Sequence, residues 1–368
     1  MGRPTLNSVA EAAAVSRQTV SNVINSPEVV SPETRERVRA AIEKLGYRPN
    51  TAARQMRTTR SQIIGLCIPP SGNGVSGVVL DQFLHSLTAT AERYDHRIML
   101  FTAADDEAET RAYADLIASV GIDGFVLTNT HHDDLRTRWL LERELPFVTF
   151  GRPWGAEDTH PWVDVDGAAG TRLATDHLIR QGHRKIAFVG WPEGSGSGDD
   201  RRAGWAAALA AAGLGEGPRA AVFDGVEGGR SAAARLLDAA GDGSSAAAHV
   251  LGEAGPSAVG PGTGEPIAGG GRAPRPGAPT AFVCASDSLA LGVTAELRDR
   301  GIRPGADASV IGFDDTPTAS VLGLSSVAQP IADVAAECVR QLRAILRGET
   351  PAEPATTLFT PHLVLRTT

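Results

Sequence analysis

Four polar side chains suited to reading base edges, Arg17, Gln18, Ser21 and Asn22, fall within one short segment whose apolar positions Val20, Val23 and Ile24 keep to a single helical face. Arginine pairs with guanine edges and glutamine or asparagine with adenine, each good pair being worth ~1–3 kcal/mol of discrimination. An earlier stripe, Leu6, Val9, Ala10 and Ala13, meets this segment at the tight turn Ala13-Ala14-Val15, and small Ala10 permits close approach to Val20. The pair reads as a helix-turn-helix that projects its polar quartet from the second helix. A structural three-helix bundle would use the same stripes, but it needs neither the quartet nor an excess of arginine. Residues 1–60 hold ten Lys/Arg against five Glu, a net charge of +5, whereas the whole chain carries −8 and the remainder therefore −13. A basic head on an acidic body suits a polyanion-binding head.

Other groupings offer less. Gly190-Trp191-Pro192-Glu193-Gly194-Ser195-Gly196-Ser197-Gly198 follows a predicted strand and precedes a predicted helix, as a phosphate loop would. It lacks the Gly-Lys-Ser/Thr ending and the G-x-G-x-x-G spacing. His131-His132 has no H-E-x-x-H context, so no metal or cofactor is expected. No Ser/His/Asp arrangement emerges, and the chain is not expected to be an enzyme. Trp154, Trp162 and Trp191 fall in loops after predicted strands, where an aromatic face stacks on a pyranose or, equally, packs into the core. Cys67, Cys284 and Cys338 are odd in number and far apart, which fits buried thiols in a reducing compartment.

The elements that must position these residues change character along the chain. Ser16 stands where an N-cap belongs, Ser31-Pro32-Glu33 opens a third helix marked by Val38, Ile42 and Leu45, and Gly46 ends it. Pro49 starts a short basic linker. From Ser61 onward strands alternate with helical patterns: 63–68, 97–101, 124–128 and 147–150, then 185–189, 220–223, 281–284 and 309–312. Two such sets predict twin α/β lobes, each a parallel sheet covered on both faces, with a ligand cleft between them. Gly241 to Pro279, rich in Gly, Pro, Ala and Ser, is read as a flexible insertion. No apolar run approaches the ~18 residues of a membrane span, and the N-terminus shows no apolar core of a secretory signal.

At this point a resemblance becomes specific. Thr5-Leu6…Val9-Ala10…Val15-Ser16-Arg17-Gln18-Thr19-Val20-Ser21-Asn22-Val23-Ile24-Asn25 and Ser31-Pro32-Glu33-Thr34-Arg35…Leu45-Gly46-Tyr47-Arg48-Pro49-Asn50 resemble the head of the lactose-repressor (LacI/GalR) family, and the similarity runs to the C-terminus apart from the insertion. One departure is Ala14, where the family usually has a turn glycine, so the turn is expected to be slightly strained. The resemblance implies an all-α helix-turn-helix head (1–47), a hinge helix (48–60) and an α/β periplasmic-binding-protein-like core of two doubly wound lobes (61–368). It places DNA contacts on Thr5, Ser16, Arg17, Gln18, Thr19, Ser21, Asn22, Asn25, Tyr47 and Asn50. Ala53 and Met56 match the hinge pair that enters the minor groove, with Met56 in the place of the usual leucine wedge.

In the core the resemblance carries effector contacts onto Arg201, Ser197 one turn before it, Ser286, Asp314 and Gln329, with Trp154 and Trp162 as stacking faces. Asp and Arg can each hold two vicinal hydroxyls. Each residue taken alone is as compatible with a helix cap or a surface ion pair; their joint placement at strand ends favours a ligand site. Phe150-Gly151-Arg152-Pro153-Trp154 with His160-Pro161-Trp162 looks like actinobacterial relatives that sense di- or oligosaccharides, and scarce Lys beside abundant Arg, Ala and Gly agrees with a high-GC genome. The expectation is a cytoplasmic, nucleoid-associated homodimeric repressor, released from a palindromic double-stranded operator by a sugar. Without a leucine-heptad tail after Leu363–Arg366, no tetramer is expected, and no membrane partner either.

Overall fold

The computed structural model describes residues 4–47, 60–68, 77–155, 158–239, 274–349 and 353–368. The chain forms two compact units, Met1–Ser61 and Gln62–Thr368. Asn50, Ala53 and Met56 of the expected hinge, and most of the expected insertion, lie outside the described residues.

Among the described residues the first unit holds three α-helices, α1 (Leu6–Ala12), α2 (Arg17–Asn25) and α3 (Pro32–Leu45). Each begins on a hydroxyl cap: Thr5 accepts from the Ser8 amide, Ser16 from the Thr19 amide and Ser31 from the Thr34 amide. Pro32 at the first turn and Gly46 in the left-handed region at φ 59° bound α3 as the sequence predicts. Val9, Ala10, Ala13, Val20, Val23, Val38, Ala41 and Tyr47 close one small core. The α1–α2 turn passes through Ala14 at φ 52°, a left-handed conformation that a Cβ disfavours by ~1–2 kcal/mol.

The second unit holds two six-stranded sheets. The first has the order β11-β5-β4-β3-β1-β2, built from β1 (Ile63–Ile68), β2 (Arg97–Thr102), β3 (Gly124–Leu127), β4 (Phe147–Phe150), β5 (Trp162–Val165) and β11 (Thr356–Phe359). The second has the order β12-β10-β9-β8-β6-β7, built from β6 (Ile186–Gly190), β7 (Arg219–Ala221), β8 (Ala281–Cys284), β9 (Ser309–Asp314), β10 (Ser325–Ala328) and β12 (His362–Val364). All pairings are parallel except β12 against β10. Around the first sheet run α4 (Gly77–Glu92), α5 (Asp106–Val120), α6 (Leu135–Leu141) and α12 (Ile331–Leu346). Around the second run α7 (Gly167–Arg180), α8 (Ser197–Ala211), α9 (Val226–Asp238), α10 (Asp287–Asp299) and short α11 (Pro317–Val321).

The chain crosses between sheets after β5, after β10 and between β11 and β12, so each lobe is completed by late sequence. Val334, Cys338, Val339 and Leu342 of α12 pack with Ile64, Val126 and Val148 of the first lobe. The second core gathers Ile186, Phe188, Trp205, Phe282, Val310 and Phe313. In each sheet the order reverses beside the first strand of the set, β1 or β6, which opens a crevice at the carboxyl ends of the strands.

Two expectations need correction. Trp162 is not in a loop: it is the first residue of β5, paired with Thr149 and Thr356, and only 7 % exposed. Its Nε1 donates to Asp158 Oδ1 at 2.8 Å, so its polar edge is partnered within the fold. The insertion also ends earlier than Pro279, because Ala278 is buried in the second core and its amide closes a turn on Arg275.

Candidate functional site

In the head, capping fixes the geometry of the face expected to read bases. The Ser16 and Thr19 hydroxyls lie 2.9 Å apart at the start of α2, and Thr5 shares a capping box with Ser8 on α1. Gln18 and Asn22, one turn apart, are tied by Gln18 Nε2 donating to Asn22 Oδ1 at 2.9 Å. Arg17 and Gln18 are exposed, Ser21 and Asn22 half-buried, and the backbone of Asn25 ends the helix. No acidic residue occupies the first turn of α2, leaving its amino end positive toward phosphate. Tyr47 stands apart from this face: its ring is packed in the head's core at 7 % exposure.

In the core, the second sheet assembles a polar row at its carboxyl edge. Arg201 rises from α8, Asp314 ends β9, and Gln329 follows β10. Gln329 Nε2 donates to Asp314 Oδ1 at 2.7 Å, and Arg201 Nη1 stands 3.8 Å from the same oxygen. Arg201 Nη1 also donates to the Ala285 carbonyl, and its guanidinium lies 3.8 Å over the Phe313 ring. Among the described residues its Nε is buried with no hydrogen-bond acceptor. Burial pushes the Asp314 carboxyl up to about 8, against the pull of Arg201, and lowers Arg201 for the same reason. Asp314 also holds φ 113°, a conformation that L-residues rarely adopt. A buried donor without an acceptor, a perturbed carboxyl and backbone strain thus converge on one place.

The remaining expected effector residues divide. Ser197 is the first residue of α8, half-buried and one turn before Arg201. Ser286 is fully buried, caps α10 by accepting from the Leu289 amide, and donates to the Asp224 carboxylate. Trp154 follows β4 in a loop, as expected. There its Nε1 donates to Thr130 Oγ1 at 3.1 Å, and Arg152 covers the ring at 4.7 Å. Gly196, just before α8, sits so close that a Cβ added there would be 2.6 Å from the indole.

Arg152 is the residue that sequence reasoning missed. It reaches from the end of β4 to Asp164 on β5 (Nε–Oδ2, 2.9 Å) and to Asp200 on α8 (Nη2–Oδ2, 2.9 Å). Asp200 Oδ2 also accepts from the Ala168 amide at the start of α7. Trp154 on Gly196 and Arg152 on Asp200 therefore join the two lobes across the crevice. Gly151-Arg152-Pro153 after a strand is the only local signal of this.

A second charged cluster lies in the first lobe, where Asp106, His131 and Asp134 bring ligand-type atoms within 4.8 Å of one another. Both Asp134 oxygens accept from Arg136, which also reaches Glu109 and the carbonyls of Thr128 and Asn129. The guanidinium already supplies the positive charge these carboxylates need.

The family described as bacterial regulatory proteins, lacI family, matches residues 5–50. The sugar-binding domain of that family matches residues 79–240, and a periplasmic binding protein-like domain matches residues 175–368. The regulator CelR of Thermobifida fusca is 33% identical over 99% of this chain and 98% of its own. The solved CelR–cellobiose complex superimposes with a TM-score of 0.68 at 30% identity, covering 99% of both chains. The lac repressor dimer bound to operator and an anti-inducer gives a TM-score of 0.75 at 25% identity, over 100% of this chain and 99% of that one. This chain belongs to the LacI family of bacterial transcriptional regulators. It is a sugar-responsive DNA-binding regulator rather than an enzyme, with a helix-turn-helix head and a periplasmic-binding-protein-like core. Among the described residues no helix is long and apolar enough to cross a membrane.

Proposed function

We propose that this protein is a homodimeric repressor of saccharide uptake or catabolism genes, released from a palindromic operator by a di- or oligosaccharide of the cellobiose class. The observation that carries the effector reading is the row Arg201–Asp314–Gln329, with a buried guanidinium N–H that lacks an acceptor beside a carboxyl of perturbed pKa. A hydroxyl-rich, uncharged ligand supplies both donors and acceptors to such a row. The full-length similarity to CelR, solved with cellobiose, supports a glucosyl disaccharide over other sugars.

On the DNA side, Arg17, Gln18, Ser21 and Asn22 would read bases, and Thr5, Ser16, Thr19 and Asn25 would position the head on phosphates. Two heads would address half-sites about one helical turn apart (~34 Å) in nucleoid DNA. The hinge, with Asn50, Ala53 and Met56, would order on the minor groove. Sugar binding would shift the lobes so that the paired hinges separate, making sugar and operator mutually antagonistic. The test is fluorescence anisotropy on a labelled palindromic operator with and without cellobiose. Release at saturating sugar supports the repressor reading. Tighter operator binding would make the sugar a corepressor and overturn induction.

A further inference from the structure

We propose that His160 is a positioning residue for the effector response: in one neutral tautomer it closes the base of the β4–β5 connection, and so holds Arg152 and Trp154 where they reach the second lobe. It touches no ligand itself. The inference rests on the saccharide reading above and adds a buried residue to it.

β4 ends at Phe150 and β5 begins at Trp162, and side chains tie the two ends of the connection between them. His160 Nε2 lies 3.1 Å from Thr149 Oγ1, and both residues are buried, at 1 % and 0 % exposure. The imidazole lies against Phe147, with ring centroids 5.2 Å apart. Thr149 Oγ1 in turn stands 2.6 Å from the Gly151 carbonyl oxygen. A carbonyl oxygen only accepts, so the single hydroxyl hydrogen of Thr149 is committed to it. The imidazole must then donate, Nε2–H to Oγ1, which leaves Nδ1 bare to accept from the Thr159 hydroxyl at 3.2 Å. Burial pushes the imidazole down to about 4, against the pull of Asp134 and Asp158, which agrees with a neutral ring.

Gly151 leaves little freedom at the turn. It holds φ 121°, a Cβ there would lie 2.1 Å from Thr130 Oγ1, and its amide donates to the Val163 carbonyl at 2.9 Å. With its carbonyl fixed by Thr149 and its amide by β5, the direction in which the chain leaves β4 is set. Arg152 follows at once and reaches Asp200 at 2.9 Å. The Trp154 indole donates to the same Thr130 oxygen that crowds Gly151. Arg152 and Trp154 are thus aimed from a buried anchor, and the hydrogen bonds behind them set how well they fit the second lobe.

The test compares full-length wild type with three variants. His160→Phe keeps a ring on Phe147 and removes the donor, His160→Gln restores a donor where Nε2 stands, and Thr149→Val removes the link while keeping the shape. Cellobiose affinity by calorimetry and the Arg152–Asp200 coupling in urea double-mutant cycles are measured in each background. His160→Phe and Thr149→Val are expected to lose roughly five- to tenfold in affinity, the worth of about one buried hydrogen bond, and about half or more of the coupling, with His160→Gln within about threefold of wild type. Thr149→Val keeps the answer available if His160→Phe does not fold. Unchanged affinity beside a lower melting temperature would leave His160 a structural residue and overturn the proposal, as would equal losses in His160→Gln and His160→Phe. Nitrogen-15 spectra of histidine-labelled protein add a check, since an Nδ1–H or doubly protonated His160 at pH 7 overturns it too. If wild type does not bind cellobiose, the saccharide reading falls by itself, and the coupling still decides the part played by His160.

Discussion

Arg152 and Asp200 stand 48 residues apart in the chain and on different lobes, yet their guanidinium and carboxylate meet at 2.9 Å. The same Arg152 satisfies Asp164, whose carboxyl is pushed up by burial and drawn back down by the guanidinium. Deleting the cation strands two largely buried carboxylates, so Arg152→Ala is expected to cost about 2–4 kcal/mol of stability in urea unfolding. Asp200→Asn keeps the shape of the side chain and is expected to cost less. A double-mutant cycle between the two should give a coupling of about 0.5–3 kcal/mol. Zero coupling would mean that the lobes are not joined here.

The burial of Asp314 makes a signed statement about pH. Its carboxyl rises from 3.8 to about 8 on folding, so the native state binds more protons than the unfolded chain between those values. The stability associated with this group is fully present below pH 4 and is lost as pH rises toward 8. Thermal unfolding of the sugar-free protein should therefore show a fall in melting temperature from pH 6 to pH 9. That fall should be shallower in Asp314→Asn, which should also bind sugar at least tenfold more weakly. Parallel slopes for the two proteins would place the titration elsewhere.

Ala14 offers a stabilising change. At φ 52° an alanine is strained where a glycine is not, and its Cβ lies on an exposed turn. Ala14→Gly is expected to stabilise the head by about 1 kcal/mol, read as roughly fivefold slower hydrogen exchange of the buried Val9 and Val20 amides. Faster exchange would show that the entropy of the unfolded glycine outweighs the relieved strain.

The head was the most legible part of the sequence because its signals are local. Caps at Thr5, Ser16 and Ser31 lie within three residues of the amides they bond, and the stripes of α1 to α3 repeat within a few turns. The twin sheets were legible for a related reason, since β1, β4 and β8 are short apolar runs bounded as predicted. Trp162 misled because its strand, Trp162–Val165, carries Asp164 in its middle and lacks a continuous apolar run. Arg152–Asp200 and Trp154–Gly196 were invisible for a stronger reason. They exist only once two lobes have folded and met, and no periodicity encodes a contact between separate sheets.

The hydrogen bond from Gln18 to Asn22 leads to a prediction about specificity. Each side chain orients the other at 2.9 Å before any base is met. Replacing Gln18 with Ala therefore removes one reader and frees the second. It is expected to lower discrimination between operator and scrambled duplex by about 1–3 kcal/mol, with little change in salt dependence, because no phosphate contact is lost. Met56→Ala is expected to weaken the operator complex while sparing binding to scrambled duplex, since a wedge acts only where the duplex is kinked. Anisotropy titrations on both duplexes at two salt concentrations separate the cases. Equal loss on both duplexes would sink the wedge, and an unchanged ratio in Gln18→Ala would remove Gln18 and Asn22 from the reading face.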